Sequence, residues 1–160
     1  HNIQAKKTTG ATYLSLSHSE VRLRNSEVRL CNEDDGSGRQ RWLITKQGTL
    51  FTVQVTCGIR PRSQKMKTFL GVSKNDTSVN VFEGFGPGPQ EYNPEITHQW
   101  TITRKEQGGF TMSVGQGQEK KFLTFSDDAN ESDEHALKLC REGEIVDNRG
   151  MIWEIPDFDN

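Results

Sequence analysis

Apolar and polar residues alternate along many short segments of this chain. A period of two is the pattern of a β-strand, because successive side chains of a strand point to opposite faces. Helical periodicity is nearly absent, and clusters of Gly, Asn, Asp and Pro separate the alternating segments. The pattern therefore predicts an all-β domain of many short strands. The clearest alternating segments are residues 14–16, 28–30, 51–55, 79–81, 100–102, 110–114 and 137–139.

A longer repeat runs through these segments. The three tryptophans, Trp42, Trp100 and Trp153, are 58 and 53 residues apart, and each begins a predicted strand. An aromatic residue followed by Leu precedes each tryptophan, and between the two lies an alternating segment that ends in Cys or Phe. The matched positions are Tyr13-Leu14, Phe69-Leu70 and Phe122-Leu123, followed by Cys31, Phe82 and Cys140. We therefore expect one domain over residues 1–160, built from three repeats at about 1–47, 48–105 and 106–158.

Three copies of a four-stranded unit favour one architecture. A β-propeller has about four to eight blades, so three copies are too few. A β-trefoil instead arranges three four-stranded repeats around a pseudo-three-fold axis, and the repeats share one core. The predicted fold is therefore an all-β β-trefoil. Cys31 and Cys140 match Phe82 in the repeat, so we expect both to be small apolar core residues, whereas Cys57 falls in a loop.

The composition excludes several functional classes. The net charge is −2 at pH 7, so no excess of positive charge favours nucleic-acid binding. No apolar run approaches the ~18–20 residues that a membrane-spanning helix needs, and we expect no membrane insertion. Three cysteines do not make the even-numbered framework of a disulfide-rich secreted domain. With a start at His1 and no signal-like segment, they favour a cytoplasmic or unconventionally secreted protein.

Motifs of catalysis and metal binding are absent from the sequence. There is no Gly-x-Ser-x-Gly, no His-Glu-x-x-His and no glycine pattern of a nucleotide-binding loop. Four scattered histidines and three separated cysteines give no metal-ligand spacing. We therefore expect no enzyme activity, no metal and no cofactor.

The residues around the tryptophans resemble those of a known family. Gln40-Arg41-Trp42 and the related triplets His98-Gln99-Trp100 and Met151-Ile152-Trp153 are similar to the Gln-x-Trp repeat of the ricin-B-type β-trefoils. The resemblance covers nearly the whole chain and is greatest to the small single-domain lectins of mushrooms. It implies a non-catalytic, carbohydrate-binding module whose partners are glycans or glycoproteins.

The resemblance does not extend to the usual galactose site of the family. Galactose-binding members carry an Asp in the strand after the aromatic-Leu pair, and the matching positions here are Ser15, Gly71 and Thr124. None of these residues can accept two hydrogen bonds from sugar hydroxyls as a carboxylate does. We therefore look for a glycan site in the loops.

The loops of the second repeat are the first candidates for a binding site, because binding residues concentrate on loops held by a rigid scaffold. Tyr92, Asn93 and Phe85 lie in the connection at 83–97, and His98 follows them. Aromatic faces stack on the C–H patches of a sugar, and amides bind its hydroxyls. Two interpretations stay open. These residues form a glycan pocket, or the aromatic residues plug the bottom of the trefoil and His98 belongs to the core.

Polar loops in the first and third repeats are further candidates for glycan binding. Asp and Asn side chains bind sugar hydroxyls, but they are more often parts of solvated turns, and both interpretations stay open. The candidates are Asp34, Asp35 and Arg39 in the first repeat and Asp127, Asp128 and Asn130 in the third.

The loop at 58–67 suggests a different function. Its four cations are suited to presenting a basic residue to a protease, as β-trefoil inhibitors do with exposed loops. A solvated loop is the simpler interpretation of such a cluster. A non-catalytic companion subunit of a larger protein is a third alternative. The four cations are Arg60, Arg62, Lys65 and Lys67.

Overall fold

The computed structural model of the chain is all-β. It describes residues 1–7, 10–16, 28–56, 66–73, 79–85, 96–127, 137–145 and 149–159. Within these ranges there is no α-helix, and the helical turns are two short 3₁₀ segments, Gly117–Glu119 and Glu142–Glu144. The prediction of an all-β chain is confirmed.

Short strands make up most of the described chain, and the longer ones contain the alternating segments. In order they are β1 (Gln4–Ala5), β2 (Tyr13–Leu16), β3 (Val28–Cys31), β4 (Trp42–Gln47), β5 (Leu50–Val55), β6 (Met66–Ser73), β7 (Val79–Phe85), β8 (Ile96–Thr97), β9 (Gln99–Arg104), β10 (Phe110–Val114), β11 (Lys121–Ser126), β12 (Leu137–Cys140), β13 (Arg149–Gly150) and β14 (Trp153–Glu154).

The strands pair antiparallel in one continuous hydrogen-bonded arrangement. Its main path runs β3-β2-β1-β14-β10-β9-β5-β6-β7. Away from this path, β11 pairs with β10, β12 and β13, while β4 pairs with β5 and β8 pairs with β6. The pairing of β1 with β14 brings the first described strand against the last, with Ala5 opposite Trp153.

Three hairpins of this arrangement share one register. In β2–β3, β6–β7 and β11–β12, the aromatic residue of the first strand lies opposite the Cys or Phe of the second. Strands β3, β7 and β12 also contact one another in pairs. The residues that face each other are Tyr13 and Cys31, Phe69 and Phe82, and Phe122 and Cys140.

The three tryptophans form the centre of the core, and each makes the same hydrogen bond. All three side chains are fully buried. Each indole Nε1 donates to the backbone carbonyl of the matched leucine at 3.0 Å, in the pairs Trp42–Leu14, Trp100–Leu70 and Trp153–Leu123. A buried indole N–H needs an acceptor, so this bond fixes the orientation of each ring against the preceding hairpin.

One end of the core is covered by Phe158. Its ring centroid lies 5.3–5.6 Å from the rings of His1, Phe51 and Phe110, and all three contacts are edge-on. Each of these three residues lies opposite a tryptophan of a neighbouring strand. Three matched rings therefore surround a single aromatic side chain.

The two described cysteines differ in burial. Cys140 is 3% exposed and its Sγ lies 3.6 Å from the Thr124 hydroxyl, as expected for a core residue. Cys31 is only half-buried, at the outer end of β3, so its assignment to the core is wrong. The reason is that Cys31 ends its strand, whereas Leu30 beside it points inward. Cys57 lies outside the described residues.

Candidate functional site

Most of the predicted loop residues lie outside the part of the chain that the structure describes. Phe85 ends β7 and Lys67 lies in β6, but their side chains also fall outside it. The aromatic glycan pocket and the inhibitory loop therefore stay predictions. The residues outside the described ranges are Tyr92, Asn93, Asp128, Asn130, Arg60, Arg62 and Lys65.

His98 is buried between β8 and β9, with 4% of its surface exposed. Its ring centroid lies 5.8 Å from that of Phe69. Burial lowers the pKa of His98 below its ordinary value of 6.5, and a hydrogen bond with the Ile96 backbone opposes this less strongly. His98 is thus an interior side chain, and its burial favours the neutral form of the ring.

The three positions that match the galactose-binding Asp are also interior. Ser15 and Thr124 are fully buried, and their hydroxyls donate to the Leu16 and Lys138 carbonyls. At Gly71 a Cβ atom would come within 2.9 Å of the Thr97 carbonyl oxygen, so even Ala does not fit without a shift. A carboxylate at any of these positions would be buried away from a ligand.

Asp34 lies in a turn that is closed by its own hydrogen bonds, and we call residues 32–41 the Asp34 loop. The Asp34 carboxylate accepts hydrogen bonds at 3.0 Å from the Asn2 amide and the Gly36 backbone N–H. It also pairs with the Arg41 guanidinium. These donors, the Asn2 amide first, lower the pKa of Asp34 below its ordinary value of 3.8.

The Asp34 loop is anchored from beneath by Gln40, which is fully buried. Its Nε2 donates to the Ser15 hydroxyl at 2.9 Å, and its Oε1 accepts from the Asp35 backbone N–H at 3.2 Å. The Asp35 carboxylate accepts from the Ser37 N–H at 2.9 Å, and the Arg39 carbonyl accepts from the Leu16 N–H. The Asp34 carboxylate and the Gln40 amide are therefore already bonded to other groups of the protein.

A cleft of about 630 Å³ opens elsewhere on the surface. Four separate segments line it: the turn after β1, the turn between β9 and β10, the residue after β11, and the segment from β13 to β14. We call it the lysine cleft. Its lining residues are Lys6, Lys7, Lys105, Gln107, Gly108, Asp127, Gly150, Met151 and Ile152.

Backbone hydrogen bonds bring these segments together. The Lys6 N–H donates to the Ile152 carbonyl at 3.0 Å, next to the pairing of β1 with β14. The β9–β10 turn closes through two bonds of 2.9 Å between Lys105 and Gly108–Gly109. Gly109 has φ +79°, and a Cβ there would lie 2.6 Å from the Ile152 side chain. Glycine at this position is what lets the turn approach Ile152.

The charges of the lysine cleft are mostly positive. Three lysines and one aspartate are among its lining residues, a difference of two positive charges on a chain whose net charge is −2. Lys7 and Lys105 are half-buried, and Lys7 Nζ donates to the Ser126 carbonyl at 3.3 Å. Lysine stems that pack along a wall keep their charged ends at its rim.

Sequence reasoning found one residue of this cleft and missed the others. Asp127 was a predicted site residue, and the structure places it at the rim. Lys6 and Lys105 are 99 residues apart, so no motif joins them. The adjacent pair Lys6-Lys7 was the only local sign, and it is too common to single out.

Some classes of site are not found in the described part of the chain. No group of three or more His, Cys, Asp or Glu residues there is arranged to hold a metal ion. Nor does that part contain a helix long and apolar enough to cross a membrane. Neither a protein-family model, nor a curated protein, nor a solved structure matches the chain.

Proposed function

We propose that this chain is a β-trefoil, carbohydrate-binding module without catalytic activity, and that its glycan binds in the lysine cleft. The shared register of the three hairpins and the three Trp–Leu hydrogen bonds support the trefoil. So does the mutual contact of β3, β7 and β12, because three units around one axis meet in this way. The ring of aromatic contacts at Phe158 agrees with the same arrangement.

The single observation that supports glycan binding is the lining of the cleft, which combines apolar and hydrogen-bonding residues. Met151 and Ile152 offer an apolar wall, while Asp127 and Gln107 offer hydrogen-bonding groups beside it. A sugar ring has the same division, with C–H patches on its faces and hydroxyls at its edge. The volume, about 630 Å³, lies within the ordinary range of small-ligand sites.

Asp127 is the polar group that this function needs most. It is exposed at the cleft rim, and a carboxylate accepts hydrogen bonds from two sugar hydroxyls at once. The Asp34 carboxylate, in contrast, is already bonded to Asn2, Gly36 and Arg41. Of the predicted acidic residues in the described part of the chain, Asp127 is therefore the one best placed for a ligand.

A glycan array followed by calorimetry tests the proposal. The wild-type chain should bind at least one glycan class, and Asp127→Asn should weaken that binding about tenfold, the cost of one charge-assisted hydrogen bond. Glu106→Gln is the matched control, since Glu106 is exposed on the β9–β10 turn but is not among the residues that line the cleft. An array without signal, or equal losses in both variants, would overturn the proposed site.

A further inference from the structure

We propose that the saccharide bound in the lysine cleft carries negative charge, as a carboxylate or a sulfate group on a sugar ring. This inference rests on the proposed function and names the class of glycan. Its starting point is the contrast in sign between the cleft and the chain as a whole.

The first argument is the local excess of positive charge. Lys6, Lys7 and Lys105 come from two separate turns and converge on one cleft, where Asp127 is the one opposing charge among the described lining residues. Positive groups that border one cleft repel each other to a degree set by their separation, and an anion bound among them relieves that repulsion. A concave wall also focuses the field of the charges on the space in front of it.

The second argument is that the lysines are partly held in place before a ligand arrives. Lys7 Nζ donates to the Ser126 carbonyl, which uses one of its three N–H groups and leaves two for a ligand. The Lys6 backbone is tied to Ile152, and the Lys105 backbone to the β9–β10 turn. Less side-chain and backbone freedom is then lost on binding.

The third argument concerns what the cleft does not offer. Among the described residues that line it, none is aromatic. Lectin sites for neutral sugars gain from aromatic stacking, so the binding energy here has to come from elsewhere. Charge-assisted hydrogen bonds from ammonium groups to an anionic oxygen supply it, and they are about twice as strong as neutral ones.

The test is calorimetric titration with matched neutral and acidic oligosaccharides. The probes are a hyaluronan hexasaccharide, the same hexasaccharide with its carboxyl groups reduced to alcohols, a chondroitin sulfate hexasaccharide, and inorganic pyrophosphate. We expect the acidic hexasaccharides to bind at least tenfold more tightly than the reduced one. Chondroitin sulfate carries a sulfate in addition to the carboxylate of each disaccharide, so tighter binding than hyaluronan indicates a contribution of the sulfate and equal binding indicates the carboxylate. Binding should weaken as salt rises from about 50 to 200 mM, because salt screens exposed charges.

Lysine variants then show whether the preference for acidic saccharides arises in the cleft. Lys7→Gln with Lys105→Gln should remove most of the acidic preference, while Lys7→Arg with Lys105→Arg should keep it. Lys46→Gln with Lys138→Gln is the matched control, because these exposed lysines carry the same charge outside the cleft. Melting temperatures of all variants verify that the fold is retained.

The possible failures are distinguishable. If no saccharide binds to the wild type, the proposed function itself is wrong. If the reduced hexasaccharide binds as tightly as the acidic ones, the function stands and the acidic preference is wrong. Pyrophosphate competing as well as the hexasaccharide would mean a simple anion site. Equal losses from the control lysines would mean an effect of total charge.

Discussion

Two loop regions of this protein carry clusters of charge, and they use that charge in opposite ways. In the Asp34 loop, the carboxylates and Gln40 are bonded to neighbouring groups of the protein. In the lysine cleft, three lysines and one aspartate are among the residues that line an open space. Both regions contain residues typical of polar surface loops, so composition does not tell them apart.

The difference shows which polar groups stabilise the fold and which stay available to bind a ligand. A buried polar group that is fully bonded contributes to stability, and removing its partner leaves a desolvated group behind. Positive groups that face a cleft contribute little to stability and even repel one another. We therefore expect substitutions in the Asp34 loop to affect folding, and substitutions in the lysine cleft to affect binding.

The largest effect on stability should come from Gln40→Ala. The change removes a fully buried side chain and its bonds to Ser15 and Asp35, leaving a cavity and an unpaired backbone N–H. We expect a loss of about 2–4 kcal/mol in the free energy of unfolding, measured by urea denaturation. Gln107→Ala in the lysine cleft is the control, with a change below about 0.5 kcal/mol. Equal effects of the two would contradict the comparison.

A smaller effect is expected for Asp34→Asn. The amide keeps the shape but loses the charge that pairs with Arg41, and we expect a loss of about 1 kcal/mol at pH 7. The pKa of Asp34 is lower in the folded state, so its contribution is present above pH 3.8 and disappears as the pH falls through the folded pKa. The curves of wild type and variant should therefore converge below pH 3.8.

His98 extends the comparison, because it precedes Trp100 by two residues just as Gln40 precedes Trp42. Burial lowers the pKa of His98 in the folded state, so the folded protein favours the neutral ring. The contribution of this neutral ring to folding stability is therefore complete above pH 6.5 and is lost as the pH falls below it. The melting temperature of the wild type should fall between pH 7.5 and pH 5. In His98→Leu that fall should be smaller, and an identical slope in both proteins would contradict the buried neutral histidine.

The smallest effect on stability should come from Lys105→Gln. The side chain is half-buried at the cleft rim among other positive groups, so its charge can be removed without loss. We expect a change within about 0.5 kcal/mol of zero at pH 7. Thermal unfolding at low and high salt is the measurement. A clear destabilisation would mean that this lysine has a structural role like that of Gln40.

The repeat shows how far sequence reasoning reaches. The aromatic-Leu motif matched Leu14, Leu70 and Leu123 to the three tryptophans, and in the structure the carbonyls of these same leucines accept the indole hydrogen bonds. Cys31 was assigned to the core by the same logic and is half-buried instead. Position in a repeat predicts which face a residue lies on, but the burial of a strand end depends on what packs beyond it.

The candidate site was less predictable. Asp34 and Asp127 were predicted on the same grounds, as acidic residues in polar loops. Asp34 is bonded to Asn2 and Arg41, whereas Asp127 lines a cleft. The residues next to Asp127 along the chain gave no sign of that cleft. Asn2 is 32 residues from Asp34, so the bond that occupies this carboxylate could not be seen in the sequence.

The sequence by itself determined the longer strands and the spacing of the three tryptophans, because the alternation of apolar and polar positions is a local property of a strand. Only the tertiary structure decided which charged residues lie beside an open cleft and which are bonded within the protein. Pairing of β1 with β14, and of β14 with β10, draws Lys6, Lys105 and Ile152 to one place. That convergence depends on how distant strands pair, and the residues of the cleft carry no common pattern along the chain.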